Sequence, residues 1–598
     1  MLKKLSSHVL AGIMFFLLAG FAAMCTDVSP SAHAAEVKDH VVMLRADVQQ
    51  KAPRITLRWI AHPGATGYAV YRRIMGQPDW GTAMSLPAEA LEFADKTAKA
   101  ATAYEYKVVR SGPVEGYGYA CAGLELPLVE SRGKLVLIVD DTHAAELASE
   151  LKRLERDLVG DGWTVLRHDV PRTDTPAAVK ALILKDVKAD PKGVRAVFLF
   201  GHVPVPLSGL LSPDGHEQRP WPADLYYGDV TGAWTDEKDM GPANVPGDGK
   251  FDPGFAVRRR DRAAQGDEQP REGRADGPRE NRRREDPGHL PADVALQVGR
   301  VDLYDLPAFA PKTETDLLRE YLNKNHNYRH KVITVPRRGL IDDNFGEFNG
   351  EAFAQSGWRC FAPLVGPENI AGAKWNDVLP NERYLWAYGC GPGSHDSCGG
   401  VTNAGDLARL SPQVIFTMLF GSYFGEWNST NNVLRAPLAS GYTLTCAWAG
   451  RPHWFLHPMA MGETIGSCAR LAQNNSRTQY LPAGRASRSV HIALMGDPAL
   501  RMHVVAPPGN LKAATGKPGS VELSWNPSPD QATGYNIYRA KTPDGPFEKL
   551  TRKPITATTF KEKRLGPKTY MVRTVALETS PTGTYYNASQ GVFVTPEE

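Results

Sequence analysis

The chain has 598 residues, of which 42% are hydrophobic and 23% are charged. This length allows about three to five domains, and the hydrophobic content excludes global disorder, which requires low hydrophobicity and high net charge. Lys and Arg total 69 against 66 Asp and Glu, and the resulting net charge of +3 gives no indication of a nucleic-acid-binding protein.

The first 34 residues have the three parts of a secretory signal peptide. Two lysines precede a mostly apolar run over residues 9–24, and residues 32–34, Ala-His-Ala, have the small-x-small pattern of a cleavage site. We therefore expect a secreted, periplasmic or cell-surface protein with no membrane span after cleavage, because the apolar run is shorter than the ~20 residues that a span needs. Lipid attachment at Cys25 is the alternative.

A repeat at the two ends of the chain predicts two similar β-sandwiches. Leu57-Arg58-Trp59 is followed by ATGYAVYR at 65–72, and Leu523-Ser524-Trp525 is followed by ATGYNIYR at 532–539. Apolar and polar residues alternate in both copies, as they do in half-buried strands, and a tryptophan at this place is typical of immunoglobulin-like sandwiches. Both copies resemble fibronectin type III modules, at 40–127 and 507–596, which implies docking or spacer modules.

Residues 133–503 predict a central α/β domain. A continuous apolar run over 134–140 is expected of a strand covered on both faces, and leucines at helical spacing follow it. Strands and helices then alternate up to residue 200, which favours a parallel, doubly wound sheet. Residues 256–288 interrupt the pattern with ten arginines and eight acidic residues, and there we expect a solvated, disordered insertion.

The candidates for chemistry follow the later predicted strands, because ligands bind at the carboxyl ends of strands in open α/β sheets. Strands are predicted over 340–342, 384–388, 414–419, 443–447 and 491–494, and helices over 313–325 and 459–473. The loop after 384–388 carries Cys390 and His395, and the loop after 414–419 carries Ser422. The loop after 443–447 carries Arg451, His453 and Trp454.

Three blocks in the central segment resemble the gingipain-type cysteine peptidases of the caspase clan. They are Asp224–Trp234, Val298–Val301 and Leu494–Pro498, and the resemblance covers most of residues 133–503. It implies a caspase-like α/β fold and peptide hydrolysis by a histidine after one strand and a cysteine after the next. Carried over by position, the histidine falls on Cys390 and the nucleophile falls on Ser422, so both members of the pair differ in residue type from the family.

Three interpretations of these positions are open. Ser422 is a nucleophile with His395 as its base, Cys390 is the nucleophile with His395 or His453 as its base, or small residues simply fit a tight glycine-rich turn. We expect a degenerate peptidase-type domain that binds a protein or peptide ligand. The alternative is an adhesion or matrix protein that binds glycans or proteins through its fibronectin-like modules. His395 or His453 within about 4 Å of Ser422 or Cys390 would favour hydrolysis, and every histidine beyond about 7 Å of both would favour a degenerate domain.

The resemblance also implies that the loop with Arg451, His453 and Trp454 lines a substrate pocket, where Trp and Arg are frequent anchors. Burial of Trp454 under the loop is the alternative. No motif indicates a bound cofactor or a zinc site. The acidic stretch that ends in Asp248-Gly249-Lys250-Phe251-Asp252 suggests either a calcium loop or solvated turns. Cys390 and Cys398 are candidates for a local disulfide in an exported protein.

Overall fold

The computed structural model describes residues 36–211, 213–216, 218–252, 291–476, 479–483, 487–515, 519–563 and 568–596. The predicted signal peptide and the predicted insertion at 256–288 lie outside these ranges. The described chain is a mixed α/β structure with several sheets. None of its helices is long and apolar enough to cross a membrane.

The N-terminal module, residues 36–126, consists of two antiparallel sheets. Its strands are β1 (Arg45–Gln49), β2 (Arg54–Arg58), β3 (Gly67–Ile74), β4 (Met84–Leu86), β5 (Glu92–Asp95), β6 (Tyr104–Ser111) and β7 (Gly116–Leu126). β1, β2 and β5 form one sheet, and β3, β4, β6 and β7 belong to the other. Trp59 follows β2 and packs on Tyr68 with ring centroids 5.2 Å apart, so the aromatic residues of the repeat fill the core between the sheets.

The central segment contains most of the helices and a large sheet. Its strands are β8 (Gly133–Asp140), β9 (Trp163–Val170), β10 (Val194–Phe200), β11 (Leu207–Leu211), β12 (Arg219–Pro222), β13 (Gln297–Val301), β14 (Gly339–Asp343), β15 (Glu347–Phe348), β16 (Glu351–Ala352), β17 (Ile370–Gly372), β18 (Tyr384–Cys390), β19 (Ser397–Cys398), β20 (Thr402–Asn403), β21 (Val414–Phe420), β22 (Thr445–Trp448) and β23 (Ala493–Gly496). The helices are α1 (Ala148–Gly160), α2 (Pro176–Ala189), α3 (Leu225–Gly228), α4 (Glu314–Arg329), α5 (Gln355–Val365), α6 (Trp375–Val378), α7 (Ala404–Leu410) and α8 (Ile465–Gln473).

The large sheet has ten described strands in the order β17-β14-β18-β21-β22-β23-β13-β10-β8-β9. All neighbours are parallel except β22 and β23, which are antiparallel. The sheet is therefore two parallel halves that run in opposite directions, whereas the sequence predicted one parallel sheet. As a result, the loops after β18, β21 and β22 share one edge, and the loops after β10 and β13 share the opposite edge.

The helix predicted over 459–473 is two elements. A 3-10 turn covers His457–Met461 and ends at Gly462, whose φ is 90°. A Cβ at Gly462 would lie 2.6 Å from the ring of Tyr585, so a side chain there would collide with the C-terminal part of the chain. The hydroxyl of Thr464 then accepts a hydrogen bond from the amide of Ser467 and starts α8.

The C-terminal module, residues 509–594, also has two sheets. Its strands are β24 (Gly509–Thr515), β25 (Ser520–Asn526), β26 (Gly534–Ala540), β27 (Glu548–Lys549), β28 (Thr559–Lys563), β29 (Thr569–Ser580), β30 (Gly583–Ala588) and β31 (Val592–Val594). β30 pairs in parallel with β7, so one sheet of each module continues into the other. A Cβ at Gly583 would lie 2.2 Å from the carbonyl oxygen of Gly123, which explains why glycine stands at this junction. The N-terminal and C-terminal modules therefore pack against each other through these two strands.

A buried ionic cluster joins the N-terminal module to the central segment. The carboxylate of Glu105 in β6 lies 2.9 Å from His457 Nε2 and accepts hydrogen bonds from Arg73 Nε at 2.8 Å and from the Tyr480 hydroxyl at 2.7 Å. Burial opposes ionisation of Glu105, but the hydrogen bonds and charges of His457 and Arg73 outweigh it and lower the pKa of Glu105 to about 2. The carboxylate is therefore part of the contact between the two regions.

This cluster predicts an acid-sensitive structure. The pKa of Glu105 falls from 4.5 to about 2 on folding. Its contribution to the free energy of unfolding is therefore fully present above pH 4.5 and is lost as the pH falls toward 2. This shift in pKa corresponds to about 3 kcal/mol in the free energy of unfolding. We expect Glu105→Gln to lower the urea midpoint at about pH 6 and to lose less stability on acidification than the wild type. Equal loss in both proteins would assign the acid sensitivity to other groups.

Candidate functional site

Ser422 lies in a tight turn at the carboxyl end of β21. The strand is buried along its whole length and ends at Phe420. Tyr423 has a φ of 69°, in the left-handed region that non-glycine residues rarely adopt. Gly393, from the loop after β18, packs against the turn so closely that a Cβ there would lie 2.3 Å from the carbonyl oxygen of Ser422. The half-buried Ser422 side chain is thus presented from a constrained turn, as is common for functional residues.

His216 lies directly beside Ser422. Its Nε2 is 2.6 Å from Ser422 Oγ, and its ring stacks on Tyr423 with centroids 4.9 Å apart and planes 21° apart. One carboxylate oxygen of Asp214 accepts the backbone N–H of His216 at 3.0 Å, and the other accepts the backbone N–H of Tyr423 at 2.6 Å. Asp214 therefore ties the segment that carries the imidazole to the turn that carries the hydroxyl.

The hairpin of β11 and β12 brings His216 to this edge. Its strands pair in antiparallel register, and residues 213–216 lie between them. At the far end, the buried guanidinium of Arg300 in β13 donates two hydrogen bonds of 2.8 Å to Asp224 and one of 2.7 Å to the carbonyl oxygen of Val203. The chain on both sides of the hairpin is thus fixed near the β10 and β13 ends, while its tip reaches the opposite edge of the sheet.

Cys390 is the last residue of β18 and is fully buried. Its thiol donates a hydrogen bond to Asp343 at 3.2 Å. Burial and the neighbouring carboxylate of Asp343 raise the pKa of Cys390 well above its ordinary value. Since the nucleophilic form of cysteine is the thiolate, this geometry does not suit Cys390 to nucleophilic attack. Cys390 and Cys398 are both free, so the suggested disulfide between them is not formed.

His395 lies near the site but contacts other groups. Its Nε2 is 3.0 Å from Glu426 Oε2 and 3.0 Å from a guanidinium nitrogen of Arg219, and Arg219 also pairs with Glu426. The His395 ring lies 5.3 Å from the ring of Tyr423, centroid to centroid. The structure therefore places His216, and not His395, in contact with the Ser422 hydroxyl, and it places His395 in a polar cluster on the same tyrosine.

The loop after β22 is largely buried. The guanidinium of Arg451 donates a 2.6 Å hydrogen bond to Glu351. Burial, reinforced by the charges of Arg359 and Arg451, lowers the pKa of His453 to about 3, so this imidazole is neutral and weakly basic at neutral pH. Trp454 is only 1% exposed, because its ring packs in the core, which corrects the expectation of an exposed anchor.

One cavity nevertheless lies beside this loop. It has a volume of about 240 Å³ and its lining includes His453, Pro452, Phe353, Glu351 and, from the N-terminal module, Tyr117. Of the three residues predicted to bind substrate, His453 borders this cavity.

The acidic stretch suggested as a calcium loop uses its oxygens for its own turns. The carboxylate of Asp252 accepts hydrogen bonds from the hydroxyl of Thr235 at 2.7 Å and from the amides of Glu237 and Lys238 at 3.1 Å. Asp248 pairs with Lys250 at 2.9 Å. These contacts account for Asp252 and Asp248 as turn-forming groups, and the calcium loop stays a prediction.

No model of a known protein family matches the chain. An amylopullulanase from Thermoanaerobacterium saccharolyticum is 39% identical over 71 residues, which are 12% of this chain and 5% of that protein, so the chain spans about one twentieth of the curated relative that it matches.

Among solved structures, the Arg-specific cysteine proteinase gingipain R is similar over 78% of this chain and 99% of its own, with 12% identity and a TM-score of 0.46. A complex of Porphyromonas gingivalis RgpB pro- and mature domains is similar over 77% of this chain and 99% of its own, with 11% identity and the same TM-score. An Fn3-like protein from Clostridium thermocellum covers 14% of this chain and 92% of its own, with 24% identity and a TM-score of 0.12. What the site can do chemically is decided by its own side chains.

Proposed function

We propose that the protein is a hydrolase of acyl bonds, with Ser422 as the nucleophile and His216 as the general base. The observation that carries this proposal is the 2.6 Å contact between Ser422 Oγ and His216 Nε2. A serine hydroxyl becomes nucleophilic near neutral pH when a base is adjacent, and this separation is within the range needed for proton transfer. The ordered sequence blocks that resemble peptidases favour a peptide bond as the substrate.

The two side chains are sufficient for a balanced reaction. His216 Nε2 takes the proton of Ser422 as Oγ bonds to the carbonyl carbon, and the resulting imidazolium gives that proton to the leaving nitrogen as the carbon–nitrogen bond breaks. Water then attacks the acyl-serine ester while His216 accepts the water proton. Return of that proton to Ser422 Oγ releases the acid and restores the enzyme.

Asp214 and Tyr423 are positioning residues in this proposal. Asp214 contacts the backbone amide of His216 rather than its ring, so it orients the base through the chain. Tyr423 supports the imidazole by stacking. Such fixed geometry matters because a displacement of about 1 Å between reacting groups can cost about 100-fold in rate.

The thiol alternative is less compatible with the structure. A cysteine nucleophile must be accessible and ionised, whereas Cys390 is buried at the end of its strand and donates to Asp343. The adhesion alternative also lacks an exposed aromatic surface: among the described residues of the two modules, the exposed large apolar side chains are the aliphatic Ile60, Ile74, Leu91 and Leu577.

Two reactive probes test the proposal on the folded full chain. We expect a serine-directed fluorophosphonate to label Ser422, as located by peptide mass spectrometry, and iodoacetamide to leave Cys390 unmodified until the protein is denatured. Labelling should be lost in Ser422→Ala and strongly reduced in His216→Gln.

The matched control is Thr315→Ala, which removes another hydroxyl–imidazole contact, between Thr315 Oγ1 and His143 Nδ1 at 2.9 Å, and should leave labelling of Ser422 unchanged. An unlabelled Ser422 in the folded wild type, or equal labelling in His216→Gln, would contradict the proposal. Alkylation of native Cys390 with loss of activity would assign the chemistry to the thiol instead.

A further inference from the structure

Two histidines and an aspartate meet between α1 and α4, and none of them belongs to the Ser422 site. Asp157 lies in α1, His326 lies in α4, and His330 follows the last residue of α4. The spacing of four residues places both histidines on one face of the helix, with their ring centroids 4.2 Å apart. His326 Nδ1 is 2.7 Å from one carboxylate oxygen of Asp157, and His330 Nε2 is 2.8 Å from the other.

We propose that Asp157, His326 and His330 bind a divalent transition-metal ion, with Zn²⁺ as the best match. Two imidazole nitrogens and a carboxylate oxygen are donors that zinc prefers, and three protein ligands leave a fourth position for water. The three donor atoms lie within 4.8 Å of one another. Ligands of a tetrahedral zinc ion are about 3.3 Å apart, so each imidazole nitrogen needs to move about 0.5 Å from the carboxylate oxygen that it now contacts when the ion replaces the shared proton.

The surroundings of the cluster suit a metal ion that binds from solvent. The side chains of His326 and His330 are 28% and 20% exposed, whereas that of Asp157 is 6% exposed. The imidazoles are thus accessible from outside while the carboxylate is held below them. The neighbouring cation Arg329 donates a 2.6 Å hydrogen bond to Asp497, so its guanidinium is held by a carboxylate outside the cluster.

The alternative is that the three side chains only hold α1 and α4 together through hydrogen bonds. Zinc titration of the untagged full chain, after treatment with a chelator and dialysis, separates the two. We expect the calorimetric titration to show one Zn²⁺ bound per chain and zinc to raise the melting temperature, since a ligand that binds the folded state stabilises it. His326→Gln and His330→Gln should each weaken zinc binding by at least about 100-fold, because loss of an outer-shell partner alone costs about 10–100-fold.

The matched control is His168→Gln. His168 also pairs with a carboxylate, that of Asp186 at 2.7 Å, and its side chain is 25% exposed, but among the described residues no third metal-binding side chain completes a group around it. The His168→Gln variant should therefore bind zinc with the same affinity as the wild type. Cobalt(II) added to the wild type provides a readout that needs no variant: visible absorption of a four-coordinate site that zinc displaces. No bound zinc in the wild type, unchanged affinity in the His326 and His330 variants, or no cobalt spectrum would overturn the proposal.

Discussion

Alanine at Ser422, at His216, or at both should lower kcat/KM for hydrolysis by a similar factor, about 10³-fold or more. The reason is that the hydroxyl and the imidazole, 2.6 Å apart, act on one proton. Without the imidazole, the hydroxyl has no base to take its proton, and without the hydroxyl, the imidazole has no nucleophile to activate. The double variant should therefore have a kcat/KM little lower than that of either single variant. Initial rates on an activated ester and on peptides selected from a library would measure this.

The pattern of the three variants is more informative than the loss itself. Effects that multiply in the double variant would show that Ser422 and His216 act independently and would contradict the dyad. Asp214→Asn should have a smaller effect, about 10-fold to 100-fold, because Asp214 acts on the position of the base through backbone contacts. Thr315→Ala, outside the site, should leave kcat/KM unchanged.

The buried strands of the central segment were predictable because their signal is local. Continuous apolar runs identified β8, β10, β18 and β21 before any long-range contact was considered. The observed strands extend a little further, as at β18, where Gly389 and Cys390 still pair with Leu419 and Phe420 of β21. Neither residue has the β-branched or aromatic character that marks a strand in sequence.

Strand direction was not predictable in the same way. β22 and β23 are short and wholly buried, with the sequences Thr445–Trp448 and Ala493–Gly496. Continuous apolar runs are typical of parallel strands covered on both faces, so the pattern of β22 and β23 does not indicate that they pair in antiparallel direction. Their antiparallel pairing divides the sheet into two halves and decides which loops can meet, so part of the predicted site geometry depended on information that local sequence does not contain.

His216 escaped sequence analysis for a related reason. It follows neither a predicted strand nor a recognisable motif, and it contacts a serine that is 206 positions away in the chain. The rule that chemistry lies after the strands of an open sheet found Ser422 but not the hairpin that folds back to it. Asp157, His326 and His330 were missed likewise, because only the packing of α1 on α4 joins the aspartate to the His-x3-His pair.

Asp161→Asn should destabilise the protein by about 3–5 kcal/mol, the cost of breaking a buried ion pair by removing one partner. Asp161 follows α1, is 1% exposed, and is surrounded by four guanidinium groups. Arg501 donates to it at 2.6 Å, and nitrogens of Arg132, Arg329 and Arg573 lie 3.6, 3.7 and 3.8 Å away. Burial opposes its ionisation, but these charges outweigh the burial and lower the pKa of Asp161 to about 2.

Four cations around one carboxylate make this position more sensitive than an ordinary ion pair. Asparagine keeps the size of the side chain, so the expected loss comes from charge and not from a cavity, and it should appear as a lower midpoint of urea unfolding at neutral pH. Arg573 belongs to β29 and Arg132 precedes β8. The contact of the C-terminal module with the central segment should therefore weaken first, and that module should become sensitive to proteolysis. Asp190→Asn, which breaks the exposed 3.1 Å pair with Lys134, should leave the urea midpoint nearly unchanged, because exposed ion pairs contribute little to stability. Equal midpoints for the two variants would mean that the arginines are compensated by other groups.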